Sequence, residues 1–358
     1  MNQSLINKHI LNLDKTEFIK PSNQTLLNII KIIKPYLPKK INYTINTKTI
    51  QTRNNVLEHI DTTDFIHANI SNYINSNLNI QYNYSITDNT NNINLNLNYY
   101  SSNNNIPHSF FNNLIQHILL LFYCFNIKNK NSDIFIYDVP INKQLDDSNI
   151  FYPVHINSAY SIPYTGKIVI FRQEELYKVL IHELLHIFHF EIDEPSNDCG
   201  IYCSLYSITS DVILVNEAVV ELYAVVFNTI LFTLKMYKKI NINKIAQILN
   251  IELHFNLYQI AKILNHSKFK SFDEFLCKNC NTNFIRQKKT NIISYILIKT
   301  ILLFNLNDIK NITNRDTIDL LVKEYIKKPS FIKIINYYMN NIKKYGLIDN
   351  NLRMCLFS

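Results

Sequence analysis

The hydrophobic pattern changes its period along the chain, and this change predicts where strands and helices lie. From Leu78 to Tyr100, apolar and polar residues alternate on both sides of a Thr-Asp-Asn-Thr-Asn-Asn turn, which predicts a β-hairpin. A helix is predicted from about His108 to Cys124, followed by strands in the runs SDIFIYDV, HINSAYSI and GKIVIFRQ. From Asp211 onward only the helical period is visible, and it predicts helices at 212–237, 242–265, 291–306, 317–327 and 331–345.

This order of elements predicts an α+β fold with three regions. Residues 1–75 contain short apolar runs separated by turn-forming residues, and we expect an N-terminal helical region there. Residues 76–195 are predicted to form a mixed α/β domain, and residues 196–358 a mostly helical C-terminal domain.

The net charge of +8 is weaker evidence for an acidic partner than its size suggests. The 36 Lys and Arg residues are scattered, and abundant Asn, Ile, Lys and Tyr with only 3 Gly indicate a codon bias towards A and T. We therefore expect no nucleic-acid partner.

Two apolar patterns bear on the compartment. The N-terminal stretch MNQSLINKHILNLDK lacks the basic head and continuous apolar core of a secretory signal, so a cytoplasmic location is expected. The apolar run from Ala218 to Leu234 is long enough to suggest a membrane span, but it contains Glu221 and Asn228. We expect a buried core helix there and no membrane span.

The strongest chemical signal is the stretch YKVLIHELLHIFHF, from Tyr177 to Phe190. Its His182, Glu183 and His186 form the pattern H-E-x-x-H among bulky uncharged residues. Histidines four positions apart lie on one helix face, about 6 Å from each other, so both can bind one zinc ion while the glutamate points to the open coordination position. The alternative is a core helix whose histidines bond to backbone or carboxylate groups, and a third ligand decides between the two.

His189 is the nearest candidate for a third ligand, seven positions after His182. In a straight helix this spacing places it roughly 10 Å further along the axis, so the two cannot share a metal ion. No glycine is present to break the helix at this point. We therefore expect His189 at the surface or on the wall of a cleft.

Glu217 is the better candidate, 31 positions after His186 (217 − 186). The sequence NEAVVE begins a strongly apolar helix with two carboxylates one turn apart, Glu217 and Glu221. Buried carboxylates are costly unless they are paired. A zinc site would supply both partners, with Glu217 as ligand and Glu221 as acceptor for the outer N–H of a metal-binding histidine.

The motifs HELLH and NEAVVE resemble those of the gluzincin metallopeptidases, the thermolysin-like group, whose pattern is H-E-x-x-H followed by N-E-x-x-x-[D/E] on the next helix. The spacer is longer here, and Glu221 stands where thermolysin-like enzymes carry Asp, but no ligand is missing. The resemblance covers residues 155–225. The stretch from NSAYS to HELLH also resembles uncharacterised zinc-peptidase-like proteins of large DNA viruses.

The resemblance implies a zincin-like α/β domain with one catalytic Zn²⁺ and a peptide or protein substrate. Glu183 would be the general base that takes a proton from the attacking water and returns it to the leaving amine. A Tyr or His from the helical domain would stabilise the oxyanion, and the candidates are Tyr295 and His254. The alternative for Tyr295 is an ordinary core position.

The strand HINSAYS lies where the resemblance implies an edge strand that pairs with an extended peptide. Its candidate backbone contacts are Asn157, Ser158 and Ala159, and the alternative is an ordinary edge strand. These features together predict a zinc metallopeptidase, in the host cytoplasm or the virion if the protein is viral. The rival is a catalytically inactive zincin-fold protein with a structural or host-interaction role, and the presence of Glu183 beside all three ligands favours the enzyme.

The six cysteines are expected to be reduced thiols, because the chain shows no secretory signal. Cys199-x3-Cys203 and Cys277-x2-Cys280 could instead form a second, structural zinc site with four thiolate ligands.

Overall fold

The computed structural model describes residues 18–36, 43–51, 57, 60, 66–192, 194, 198–280, 282–307, 309, 314–345 and 350–357. The strands in chain order are β1 Thr44–Gln51, β2 Ile80–Asp88, β3 Ile93–Ser101, β4 Lys130–Tyr137, β5 Ile150–Phe151, β6 Ala159–Ile162, β7 Lys167–Ile170, β8 Ile208–Thr209 and β9 Ile285–Gln287. The α-helices are α1 Gln24–Ile33, α2 Ala68–Asn77, α3 His108–Cys124, α4 Pro153–Ile156, α5 Leu176–Ile187, α6 Gly200–Leu205, α7 Val215–Tyr237, α8 Ile242–His266, α9 Phe272–Leu276, α10 Lys299–Phe304, α11 Arg315–Tyr325 and α12 Pro329–Tyr345. A 3₁₀-helix covers Lys34–Tyr36 and a π-helix covers Ile293–Ile298.

The fold is α+β with a helical C-terminal region, as predicted from the order of elements. Backbone contacts divide the chain into two compact units. Among the described residues, those between 28 and 142 and between 157 and 190 form the sheet unit, and those from 18 to 27, from 143 to 156 and from 191 to 357 form the helical unit.

The sheet unit is built on a six-stranded mixed sheet with the order β1-β2-β3-β4-β7-β6. Strands β1 to β3 are antiparallel, β4 is parallel to both β3 and β7, and β6 is antiparallel to β7. The predicted hairpin at Leu78 to Tyr100 is confirmed as β2 and β3. Its turn is fixed by Asp88, whose Oδ1 accepts from the amide of Thr90 at 2.9 Å, and by Asn92 in the left-handed region (φ 53°).

Helices pack on this sheet because alternate strand residues are apolar. The ring centroids of Tyr84 and Tyr99 lie 4.6 and 5.4 Å from that of Phe111 in α3. Helix α5 packs against α3 and against β6 and β7. A second cluster of buried residues joins Phe135 and Val169 of the sheet to α2. Helix α5, which carries the H-E-x-x-H motif and is called the metal-motif helix below, is therefore held by α3, β6 and β7 of its own unit.

The helical unit is organised around α7 and α8, which pack against each other. The π-helix and α10 pack on α7, and α12 packs on α8. A small parallel sheet with the order β5-β9-β8 belongs to the same unit. Helix α7 is long and apolar enough to cross a membrane, but 78% of its most apolar window is buried inside the structure, which agrees with the expected core helix.

Three sequence expectations about the elements need correction. Residues 44–51, in the region predicted to be helical, form β1, and they pair with β2 from Ile80 to Thr87. The short strands β8 and β9 lie close to or within the part of the chain where only helices were predicted. The H-E-x-x-H helix ends at Ile187, whereas the argument about His189 assumed a straight helix that reaches this residue.

Candidate metal centre

Helix α5 carries the H-E-x-x-H residues on a largely buried surface. His182 and Glu183 are 7% and 6% exposed, and the apolar residues around them are buried as well. Leucine, isoleucine and valine at these positions fit the helix against β6, β7 and α3. The local sequence therefore places ionisable groups in a buried environment, where they require partners.

The two histidines direct the same ring nitrogen towards one point. Their Nε2 atoms are 3.2 Å apart, and their ring centroids are 4.9 Å apart. Two nitrogens bound to one tetrahedral zinc at Zn–N distances of ~2.05 Å would be separated by about 3.3 Å. The imidazole arrangement therefore fits two ligands of one zinc ion.

His189 does not lie on the helix with these two residues. Phe188 is the C-cap of α5, and His189 follows in the left-handed region (φ 53°) with an exposed side chain. The surface location is confirmed, but the reason differs from the straight-helix argument. The helix ends before His189, and it does so without a glycine.

Glu217 and Glu221 lie one turn apart near the start of α7, in the helical unit. Glu221 is 1% exposed, and Glu217 is partly buried in the first turn. Asn216, the residue before Glu217, accepts a hydrogen bond from the amide of Ile192 through Oδ1 at 3.1 Å. The predicted motif N-E-x-x-x-E therefore lies in the first two turns of α7, and the side chain of its asparagine bonds to the backbone of Ile192.

Glu194 is a residue of this region that the sequence pattern did not single out. Burial raises the pKa of its carboxyl, and Glu217 adds to the rise, whereas the amides of Asn216 and Val215 and the guanidinium of Arg315 lower it. In the sequence EIDEPSNDC, an acidic residue carries no periodic signal. Its role depends on contacts with α7 and with a residue more than a hundred positions away.

The two oxyanion candidates differ in their surroundings within the helical unit. Tyr295 is partly buried in the π-helix, which packs against α7. His254 lies in α8, with Nδ1 3.0 Å from the hydroxyl of Tyr338. Because short π-helical segments are frequent at functional sites, we keep Tyr295 as the candidate.

The strand that was expected to bind substrate is at the edge of the sheet, as predicted. Strand β6 pairs only with β7 among the described strands. The carbonyl oxygen of Asn157 accepts from Nε of Arg172 at 3.0 Å, and that of Ser158 accepts from the amide of Phe171 at 2.9 Å. Ala159 is the first residue of the strand. The backbone of this segment is therefore fixed on its inner side.

Four of the six cysteines form disulfide bonds in the structure, so the expectation of reduced thiols is wrong for them. The pairs are Cys199–Cys203 and Cys277–Cys280. Cys124 and Cys355 are free thiols. The two cysteines of each pair are only 4 or 3 positions apart. This short spacing could have indicated that each pair forms a disulfide.

No protein-family model, curated protein or solved structure matches this chain. Its chemistry is therefore inferred from its own residues. Two imidazoles that face each other and neighbouring carboxylates are the donor types that zinc prefers.

Proposed function

We propose that this chain is a zinc-dependent metallopeptidase of the gluzincin type, in which His182, His186 and Glu217 bind one Zn²⁺. The donor atoms would be one nitrogen from each histidine and one carboxylate oxygen. The observation that carries the proposal is the 3.2 Å separation of the two Nε2 atoms, beside the buried carboxyl of Glu183. The same distance also suits an N–H···N hydrogen bond in metal-free protein, so metal content is the decisive measurement.

A zinc ion held by these residues would supply a Lewis acid and a water of lowered pKa. In the proposed reaction, the Glu183 carboxylate takes a proton from the attacking water and returns it to the leaving amine. Glu221, one turn after Glu217, accepts the outer N–H of a metal-binding histidine and so fixes its ring. No covalent intermediate between the substrate and the chain is required.

The proposed substrate is a peptide in extended conformation. The backbone of Asn157, Ser158 and Ala159, which leads into the edge strand β6, would pair with the substrate backbone, because strand addition at the edge of a sheet is a common mode of peptide recognition. Strand β6 packs against α5, which carries Glu183. The hydroxyl of Tyr295 would donate to the developing oxyanion.

The first test is the metal content of purified protein. We expect close to one zinc per chain, lost in His186→Ala and in Glu217→Ala, because removal of a ligand leaves too few donors. His189→Ala is the matched control and should keep its zinc, since this exposed residue lies beyond the end of α5. Unchanged zinc in both ligand variants, or equal loss in the control, would exclude this ligand set.

A measurement of peptidase activity then distinguishes the proposed enzyme from the alternative, a catalytically inactive protein with a zincin fold. Wild-type protein should cleave members of a diverse peptide library, and removal of zinc by a chelator should abolish the cleavage. Zinc-loaded protein that cleaves no peptide would favour the inactive protein instead.

A further inference from the structure

The start of α7 is capped by a side chain from outside the helix. The N-cap residue Leu214 makes no side-chain cap bond. Glu194 supplies the capping hydrogen bonds instead. Its Oε1 accepts from the amide of Val215 at 2.8 Å, and its Oε2 accepts from the amide of Asn216 at 2.9 Å. A carboxylate at this place satisfies two amides that have no partner within the helix, and it interacts favourably with the positive end of the helix dipole.

Arg315 fixes this carboxylate from the other side. Its Nη1 lies 3.3 Å from Oε1 of Glu194, and the two side chains are only 5% and 8% exposed. The same guanidinium lies 3.4 Å from a carboxylate oxygen of Asp198 and 3.5 Å from one of Asp319. Asp319 in turn accepts from the hydroxyl of Tyr202 at 2.6 Å. The guanidinium therefore has several anchors, all within the helical unit.

Gly200 makes room for the guanidinium of Arg315 because it has no side chain. A Cβ atom at position 200 would lie 2.7 Å from Nη2 of Arg315, which is too close for a real contact. Gly200 also adopts a left-handed conformation with φ +53°, which favours glycine. The chain has only 3 glycines, and one of them is placed where it admits this guanidinium.

Ile192 and Glu194 also hold Asn216, the residue before Glu217. The amide of Ile192 donates to Oδ1 of Asn216 at 3.1 Å, while Glu194 holds the backbone of Asn216. Residue 216 is thus fixed through both its amide and its side chain. Glu217 follows Asn216 in the same helical turn. A small rotation of this turn would therefore redirect the carboxylate of Glu217.

We propose that Glu194 and Arg315 are positioning residues for Glu217, holding the first turn of α7 so that its carboxylate points to the metal. This inference rests on the proposed zinc site. A buried ion pair adds little net stability compared with apolar residues of the same size, whereas it fixes geometry through directed bonds. Outer-shell partners of metal ligands act in this way, and their loss typically weakens metal binding by about 10- to 100-fold.

The test compares variants of the full chain by their affinity for Zn²⁺, measured against a competing chelator, and by the visible absorption spectrum of the Co²⁺-loaded protein. We expect Glu194→Gln and Arg315→Lys to bind Zn²⁺ roughly 10- to 100-fold more weakly and to change the Co²⁺ spectrum, which reports ligand geometry. Glu324→Gln is the matched control, because it removes an exposed carboxylate from α11, the helix that carries Arg315, and both readouts should stay at wild-type values.

The outcomes separate this inference from the proposed function. Wild-type protein with one zinc, together with folded variants of unchanged affinity and spectrum, overturns the positioning role alone. Wild-type protein without zinc overturns both proposals. If Glu194→Gln fails to fold, as judged by circular dichroism, Arg315→Lys decides. Unfolding of both variants overturns the positioning role in favour of a purely structural one.

Discussion

Glu183 is the residue on which the proposed chemistry depends. It lies between His182 and His186 on α5, and it is 6% exposed. A carboxyl group is costly at such a depth unless it is paired or serves the reaction. Its buried place beside two histidines that face each other is what a general base of a zinc hydrolase requires.

Replacement of Glu183 by Gln should separate catalysis from metal binding. The amide keeps the size and packing of the side chain but cannot accept the proton, so zinc content and melting temperature should stay near wild type while peptide hydrolysis falls by about 10²- to 10⁴-fold. The rates are compared on a peptide that the wild-type protein cleaves, with chelated wild type as the control. Cleavage that persists in the variant would point to a contaminant or to another mechanism.

Among the elements, α8 holds Cys355, Leu356 and Phe357 through the buried carboxylate of Glu252. Oε1 of Glu252 accepts from the amide of Phe357 at 2.8 Å, and its two oxygens accept from the amide of Leu356 at 3.0 and 2.9 Å. The thiol of Cys355 also donates to it, at 3.0 Å. Burial raises the pKa of Glu252, while Cys355, the two amides and Lys299 lower it. The net rise means that ionisation of this group costs stability in the folded state.

The raised pKa predicts the sign of a pH effect. Between its usual value of about 4.5 and the higher value in the folded state, the folded protein binds more protons at Glu252 than the unfolded chain, so this group makes the free energy of unfolding fall as the pH rises. Glu252→Gln removes this contribution. The stability difference between wild type and variant should therefore shrink from pH 4 to pH 7 in denaturant titrations. The exposed Glu324→Gln is the control, and a difference that widens with pH would contradict the prediction.

For the whole molecule, the two disulfides and the proposed zinc site set the number of thiols and metal ions that we expect per chain. Both disulfides lie in the helical unit, and they close loops with sequence separations of only 4 and 3. Short loops lose little entropy on closure, so each bond contributes only about 2 kcal/mol to stability in the chain-entropy estimate. Their presence is therefore tested by counting thiols rather than by stability.

Protein purified without reductant and then denatured should show two reactive thiols, from Cys124 and Cys355, and four more after reduction. Mass spectrometry of alkylated protein gives the count, and zinc analysis of the same sample should give one ion per chain. Six reactive thiols with about two zinc ions would contradict the disulfides and indicate a site with four thiolate ligands instead.

The local pattern determined much of the fold and of the candidate site. The hairpin of β2 and β3 and the helices α3, α7 and α8 follow from periods of two and 3.6 residues, whereas the edge position of β6 was implied by the resemblance. The metal-motif helix and the acidic start of α7 follow from the spacing of ionisable residues within apolar runs. These features are properties of neighbouring residues, and a sequence displays them directly.

Only the tertiary structure decided where β1 pairs, where α5 ends and which side chain caps α7. Glu194 and Arg315 are separated by 121 positions, and Glu252 lies 104 positions before Leu356. Such partners are chosen by the packing of distant segments, and no period or motif marks them. The sequence by itself determined which groups could bind a metal and act as a base, whereas the tertiary structure decided the 3.2 Å approach of the two imidazoles, because that distance depends on rotamers set by the surrounding core.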